Sequence, residues 1–393
     1  MTEAVLFEQL QAVHGRRIGS ATLNAEKTLN ALSLEMTDLL AAQLTQWVQD
    51  DSIAMVILQA RGDKAFCAGG DLQQLHRSMI AHHASPQRND IRANGYAAQF
   101  FEREYRLNYL IHTYPKPILC WGHGIVMGGG LGLMAGASHR VTTEGSRLAM
   151  PEISVGLYPD VGGSWFLNRM PGRLGLFLAL TGAALNAADA KFAGLSDYLI
   201  ANASRQTVFE ALRRQDWRAA NAHELLTRIL REAEQSSLQR ANMQQANPFA
   251  ASPLRRHQDA IDRLCGAATL PEIVDALLAL RTDEPWLRKV VDALAAGAPG
   301  SAALSYALLR RARHLSLAQV FRLEFVVSLH CAARPDFAEG IRALLIDKDR
   351  KPQWRPAALS EVTPQWLEAF FDDPWAQGDH PLADLGAALN PAC

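Results

Sequence analysis

The residues best suited to chemistry in this chain are two carboxylates on proline-stiffened turns, Glu152 in Met150-Pro151-Glu152 and Asp160 in Tyr158-Pro159-Asp160-Val161-Gly162-Gly163. They follow a glycine-rich run, Ile125-Val126-Met127-Gly128-Gly129-Gly130-Leu131-Gly132, with Glu152 lying 20 residues beyond Gly132. Consecutive glycines let a backbone come close to a ligand, and a helix opening just after them points free N–H groups outward. A second such turn, Ala65-Phe66-Cys67-Ala68-Gly69-Gly70-Asp71, also precedes a helix-like segment. Two turns of this kind can supply the two amides of an oxyanion hole, while a carboxylate takes a proton from water. That combination suits acyl transfer, in which negative charge grows on a carbonyl oxygen. Both clusters equally suit tight turns that pack strand against helix.

Other motif readings are weaker. Gly130-Leu131-Gly132-Leu133-Met134-Ala135 fits a GxGxxA dinucleotide pattern, with Glu152 at the spacing of a ribose-binding acid. Such a unit needs a second strand ending at that acid, whereas Glu152 follows a proline in a turn-like setting. No Walker A, HExxH or GxSxG sequence occurs, so phosphate-cradle, zincin and serine-hydrolase chemistry lack support.

The elements that must position these groups are set by composition and periodicity. With 393 residues, 49% hydrophobic and 20% charged, the chain can bury one large core, or a core plus a smaller helical unit. A formal net charge of -1 gives no global field that would draw nucleic acid or an anionic membrane. No apolar run reaches the roughly 18 residues of a membrane span. Five cysteines, odd in number, far apart and without a CxxC pair, argue against a disulfide framework and a zinc site. A reducing compartment follows, and with no signal-like N-terminus the expected location is cytoplasmic.

Residues 18–24 alternate as a strand does, and 53–58 and 117–121 form continuous apolar runs of the kind found in strands covered on both faces. From Ser33, a good N-cap, residues to about 49 place Leu34, Leu39, Leu40, Leu44 and Trp47 at helical spacing. Strand, glycine turn and a short helix from Leu131 indicate an α/β (α+β) layering. Beyond about residue 204 the chain turns rich in Arg, Glu, Gln, Ala and Leu, punctuated by Asn247-Pro248 and Ser252-Pro253. Helices are expected at about 256–266, 271–281, 284–296, 301–313 and 316–333. The pattern change divides the chain into a catalytic core, 1–203, and a mainly helical region, 204–393, that completes the site, makes oligomer contacts, or both.

The chain resembles the crotonase, or enoyl-CoA hydratase/isomerase, superfamily, most closely its 3-hydroxyisobutyryl-CoA hydrolase branch. The carriers are Thr28-Leu29-Asn30-Ala31-Leu32, the two glycine turns, His123-Gly124 before the second, Met150-Pro151-Glu152 and the stretch from Gly156 to Gly163. Near the C-terminus, residues 336–349 and Pro352-Gln353-Trp354-Arg355-Pro356 also match that branch, whereas 204–330 match only in helical character and length. The resemblance implies a crotonase spiral of repeated ββα turns with a helical C-terminal region used in self-association, so a homo-oligomer is left open. It implies oxyanion amides at Gly70 and Gly129, a substrate contact at Glu104, a catalytic and substrate-binding pair at Glu152 and Asp160, and no metal. Coenzyme A enters as part of the acyl-CoA substrate, and no separate cofactor is expected.

Position 132 separates the subfamilies under this resemblance. Hydratases carry a glutamate three residues after the oxyanion glycine; this chain has Gly132, and Asp160 stands where they have a small residue. The exchange favours thioester hydrolysis, of a short 3-hydroxyacyl-CoA such as 3-hydroxyisobutyryl-CoA in valine breakdown, over hydration. Close helix packing is the plainer reading of Gly132, and the presence of both ends of the exchange ranks the functional one above it. Hydration or isomerisation of an enoyl-CoA, or an acyl-CoA-binding paralogue without catalysis, remain the alternatives. In the hydrolysis Glu152 activates water or attacks directly, with Asp160 orienting the acyl hydroxyl or assisting proton transfer.

Several further residues have plain readings. Cys67 is expected to be buried packing, His123 a turn or core residue, and His82 and His83 part of a solvated loop. Lys27, Lys348, Arg350, Lys351 and Arg355 either hold coenzyme A phosphates or coat a surface. Met127, Tyr158 and Trp165 are candidates for setting pocket depth.

Overall fold

In the computed structural model, which describes residues 3–218, 221–243, 251–376 and 378–387, strand and helix alternate through the first half as their periodicities dictate. The order opens with β1 (Val5–Gln11), β2 (Arg17–Leu23), α1 (Leu34–Gln49), β3 (Ile53–Ala60), β4 (Ala65–Cys67), α2 (Leu72–His83) and α3 (Gly95–His112). It continues with β5 (Ile118–Gly122), β6 (Ile125–Met127), α4 (Gly129–Ala135), β7 (His139–Thr142), β8 (Arg147–Ala149), α5 (Gly163–Phe166), α6 (Leu174–Thr181), α7 (Ala187–Phe192) and β9 (Tyr198–Leu199). Ser33 caps α1 by accepting from the Met36 N–H, and Asp71 caps α2 by accepting from Gln74.

The strands form two sheets. One runs β1-β2-β3-β5-β7-β9, parallel throughout except for the antiparallel β1–β2 pair; the other is the parallel set β4-β6-β8. Parallel strands need covering on both faces, and β3 shows why its apolar run is unbroken. Val56 and Leu58 enter the main core with Leu40, Leu44 and Tyr105, while Met55 and Ile57 point the other way against Leu119, Trp121, Val208 and Leu226.

The second half is helical, with α8 (Arg205–Arg214), α9 (Ala222–Met243), α10 (Pro253–Arg256), α11 (Gln258–Leu264), α12 (Leu270–Leu278) and α13 (Pro285–Ala296). It ends in α14 (Pro299–Ala312), α15 (Leu317–Ala333), α16 (Pro335–Ile341) and α17 (Pro364–Glu368). The change of pattern near residue 204 is not a gap in packing. Helices α8 and α9 cover the outer face of the large sheet, and Phe321, Phe325, Phe337 and Leu382 share one apolar core with Leu40 and Phe101. Residues 247–250 and Cys393 lie outside the described residues.

Candidate active site

The glycine turns are brought together by the Thr28–Leu32 motif and by strand pairing. Leu29 and Asn30 both take left-handed backbone angles, and the buried Asn30 side chain accepts from the Ala25 N–H and donates to the Arg61 and Ala65 carbonyls. Leu32 then donates its N–H to Gly69 O at 2.8 Å and accepts from the Asp71 N–H at 3.0 Å, fixing the turn between them. Gly69 sits at φ +111, a conformation closed to side chains that carry a Cβ. The parallel pair β4–β6 sets this turn beside Gly128 and Gly129, where α4 begins.

Among the described residues neither the Gly70 nor the Gly129 N–H donates to any backbone carbonyl outside regular elements or to any side chain. A Cβ built on Gly129 would lie 3.5 Å from the Gly70 nitrogen. The two amide nitrogens are thus at most about 6 Å apart, a span one oxygen can bridge with ordinary hydrogen bonds.

Two carboxyls, Glu104 and Glu152, reach this point, and a third, Asp160, lies close enough to repel both. Oε1 of Glu104 occupies the space a side chain at Gly129 would need, and Oε1 of Glu152 lies 3.0 Å from where a Cβ of Gly128 would stand. All are nearly sealed from solvent, with Glu104 2%, Glu152 5% and Asp160 5% exposed. Oε1 of Glu104 and Oε2 of Glu152 are buried without a hydrogen-bond partner among the described residues. Orphaned carboxylate oxygens are costly in a folded protein and are expected where a ligand supplies the missing partner.

Burial, reinforced by mutual repulsion, pushes Glu104 and Glu152 well above the usual carboxylate range. Asp160 is pushed up less, to about 6, because the Tyr105 hydroxyl donates to its Oδ2 at 2.8 Å and favours the charged form.

Glu104 lies on the inward stripe of α3 with Phe100, Phe101, Tyr105 and Asn108, so it is no surface charge. Glu152 opens the one-turn helix Glu152–Val155, braced from behind by the C-terminal motif, since Gly156 packs against the Asp336 carbonyl and Gly340 against Val155. The Arg355 N–H donates to Asp336 at 2.8 Å, and Arg342 pairs with Glu339, Asp347 and Asp349, which folds that motif into a clamp.

Helix α15 holds the Asp160 loop. Glu324, fully buried, accepts from the Gly162 N–H at 2.7 Å and the Ser164 N–H at 2.9 Å, and burial pushes it up to about 8. Immediately before those contacts Val161 takes φ +52, an unfavourable angle for a β-branched residue. Its side chain fills the space above Gly132. Glu324, Ser328 and Tyr105 escaped sequence reading. The one available signal was position, for Glu324 falls at helical spacing among Phe321, Phe325 and Ser328 on the buried stripe of α15.

Other expectations fare unevenly. Cys67 is buried beside the turn, and burial pushes its thiol up to about 12. His123 is a buried turn residue whose ring bonds the Gly62 carbonyl at 2.7 Å. His82 and His83 are not in a solvated loop; they end α2, His82 buried against the Gln87 and Asp90 carbonyls and His83 against Ala332. Tyr158 is wedged onto α15 with its hydroxyl bonded to Ser328 and the Glu324 carbonyl, Trp165 stacks under Arg169, and Met127 is half-buried. Lys27, Lys348, Arg350, Lys351 and Arg355 are exposed. No helix among the described residues is long and apolar enough to cross a membrane.

The enoyl-CoA hydratase/isomerase family model matches residues 18–371. The chain belongs to this family. Among curated members, it is 36% identical over 367 residues to the Danio rerio protein named 3-hydroxyisobutyryl-CoA hydrolase, mitochondrial, covering 93% of this chain and 89% of that one. The Homo sapiens protein of the same name is 34% identical over 353 residues, covering 90% and 86%. Of solved family structures, a carnitinyl-CoA dehydratase from Mycobacterium thermoresistibile aligns with TM-score 0.80 at 34% identity over 95% of this chain and 97% of that one. An enoyl-CoA hydratase from Rhodobacter sphaeroides 2.4.1 aligns at 0.76, with 34% identity over 94% and 98%. The crotonase fold expected from the motifs is therefore the fold of this chain. As the relatives' names span hydrolysis and hydration, the choice falls to the site.

Proposed function

We propose that this protein hydrolyses the thioester of a short 3-hydroxyacyl-CoA, 3-hydroxyisobutyryl-CoA foremost, to the free acid and coenzyme A, as a step of valine breakdown. The observation that carries the choice over hydration is the packing at Gly132: a Cβ there would lie 2.7 Å from Cβ of Val161, so no glutamate can occupy the position that resemblance gives to hydratases. The second acid is instead Asp160, fixed by Tyr105.

In this reading the thioester oxygen sits between the Gly70 and Gly129 N–H groups, which stabilise the charge it gains. Glu152 takes the proton of an attacking water, or attacks the carbonyl carbon itself to give a mixed anhydride that water then opens. In both routes the C–S bond breaks with its electron pair going to sulfur, which leaves and is protonated as the free thiol. Glu104, sealed beside Gly129, contacts the acyl group, and Asp160 orients its 3-hydroxyl. Support comes from relatives named for this reaction along nearly the whole chain.

The test is thiol release from 3-hydroxyisobutyryl-CoA and straight-chain 3-hydroxyacyl-CoA, followed with a thiol reagent, beside hydration of an enoyl-CoA. Thiol release is the expected result. Hydration without thiol release would overturn the reading, and ligand affinity with turnover of no thioester would mark a binding protein.

A further inference from the structure

Behind Asp160, the Tyr105 hydroxyl is the first link of a longer chain of hydroxyls. Tyr105 OH is 2.8 Å from Oδ2 of Asp160 and 2.7 Å from Ser328 Oγ; Ser328 Oγ is 2.8 Å from Tyr158 OH, which is 2.7 Å from the Glu324 carbonyl. Tyr105, Ser328 and Tyr158 are fully buried, and the chain ends on an oxygen that can only accept. It therefore leads no proton to solvent and serves Asp160 alone.

Counting protons shows what it can do. With Asp160 ionised, Tyr105 donates to it and Ser328 donates to Tyr105, so the nearer dipoles point at the charge. With a proton on Oδ2 of Asp160, that proton goes to Tyr105, Tyr105 donates to Ser328, Ser328 to Tyr158 and Tyr158 to the Glu324 carbonyl. Every contact is then filled, and the direction of the chain has reversed. Both charge states find hydrogen bonds without any heavy atom moving, and linked hydroxyls polarise one another.

We propose that Tyr105, backed by Ser328, is the positioning residue that fixes Oδ2 of Asp160 and sets the pH at which that carboxyl carries charge, leaving Oδ1 to the substrate. This rests on the hydrolase reading for its kinetic consequence but not for its titration. The other groups facing Asp160 are Glu104 from α3, Glu152 from its one-turn helix, Glu324 and Cys331 from α15, and Tyr158 from its own loop. None of them is a cation. Tyr105 thus opposes burial and acidic neighbours, and its loss moves the titration of Asp160 upward.

The experiment compares Tyr105→Phe and Ser328→Ala with the unaltered protein. In Tyr105→Phe the limb of the pH profile of kcat/KM belonging to Asp160 moves up by about one pH unit or more, and kcat falls about tenfold to a hundredfold, with a smaller change in KM. Ser328→Ala, which leaves Tyr105 and its packing in place, shifts the limb the same way by less; it carries the test if Tyr105→Phe does not fold. In the free protein, the carboxyl infrared difference against Asp160→Asn follows the same titration without turnover. Unmoved titrations in both variants overturn the proposal whatever the reaction. Absent thiol release by the unaltered protein, with a shifted infrared titration, overturns only the hydrolase reading.

Discussion

Val161 and Gly132 divide one volume between them: a Cβ added at Gly132 would stand 2.7 Å from Cβ and 2.9 Å from Cγ2 of Val161, and 3.1 Å from Nδ2 of Asn108. Val161 holds that place at φ +52, under strain that Glu324 sustains by binding the next turn. The glycine and the valine are thus complementary in packing, and together they leave no room for a glutamate at position 132. Gly132→Ala is expected to destabilise the protein by about 1–3 kcal/mol, the usual range for an overpacked core. Val161→Gly in the same chain makes room and relieves the left-handed strain while giving up a buried side chain, so the double variant is more stable than the sum of the two single losses predicts. Urea unfolding of the single and double variants measures it; a Gly132→Ala midpoint equal to that of the parent would contradict the packing account.

Glu152→Gln preserves size and loses the ability to accept a proton or attack as a carboxylate. Turnover should fall about 100- to 10,000-fold, the worth of a general base, while acyl-CoA affinity stays within a few-fold. Calorimetric titration with a non-hydrolysed analogue, beside the thiol assay, separates the two quantities. Near-normal turnover would remove Glu152 from the chemistry.

The cysteines offer an independent check on how closed the site is. Cys67, Cys120, Cys265 and Cys331 are all buried, and burial raises every one of these thiols, Cys67 to about 12. A thiol held this far from ionising is a poor nucleophile at neutral pH. Alkylating reagents should therefore leave native activity intact and react with these four only after denaturation. Inactivation in step with labelling of Cys67 would show that the glycine turn opens in solution.

Much of the site can be read along the chain where a local rule governs, and little of it where distant helices meet. Ser33, the β3 apolar run and the α13–α15 periodicities place their elements within a few residues. Gly70, Gly129, Glu152 and Asp160 sit in turns whose glycines and prolines mark them. Glu104 is different, because its neighbours Glu102 and Arg103 make the segment look exposed. Only its spacing from Phe100, Phe101 and Tyr105 puts it on the buried stripe. Tyr105 and Ser328 are 223 residues apart, so no window of sequence could pair them. His82 reads as solvated because the polar stretch around it hides a ring that two carbonyls bury.

Asp160 itself predicts how stability depends on pH. Its folded-state value is raised from 3.8 to about 6, so the folded protein holds this proton more tightly than the unfolded chain does. A carboxyl raised in this way costs nothing below about pH 4, destabilises increasingly as pH climbs from about 4 to about 6, where only the unfolded chain ionises, and levels off above that, where the folded form also carries the buried charge. The full cost is about 3 kcal/mol, from roughly 1.4 kcal/mol per pH unit. Asp160→Asn keeps an acceptor for Tyr105 and removes the charge, so it should unfold at higher urea than the parent at pH 8. The gap should narrow below pH 6 and close near pH 4, while thiol release is lost throughout. An equal gap at all pH values would mean that packing rather than ionisation separates the two proteins.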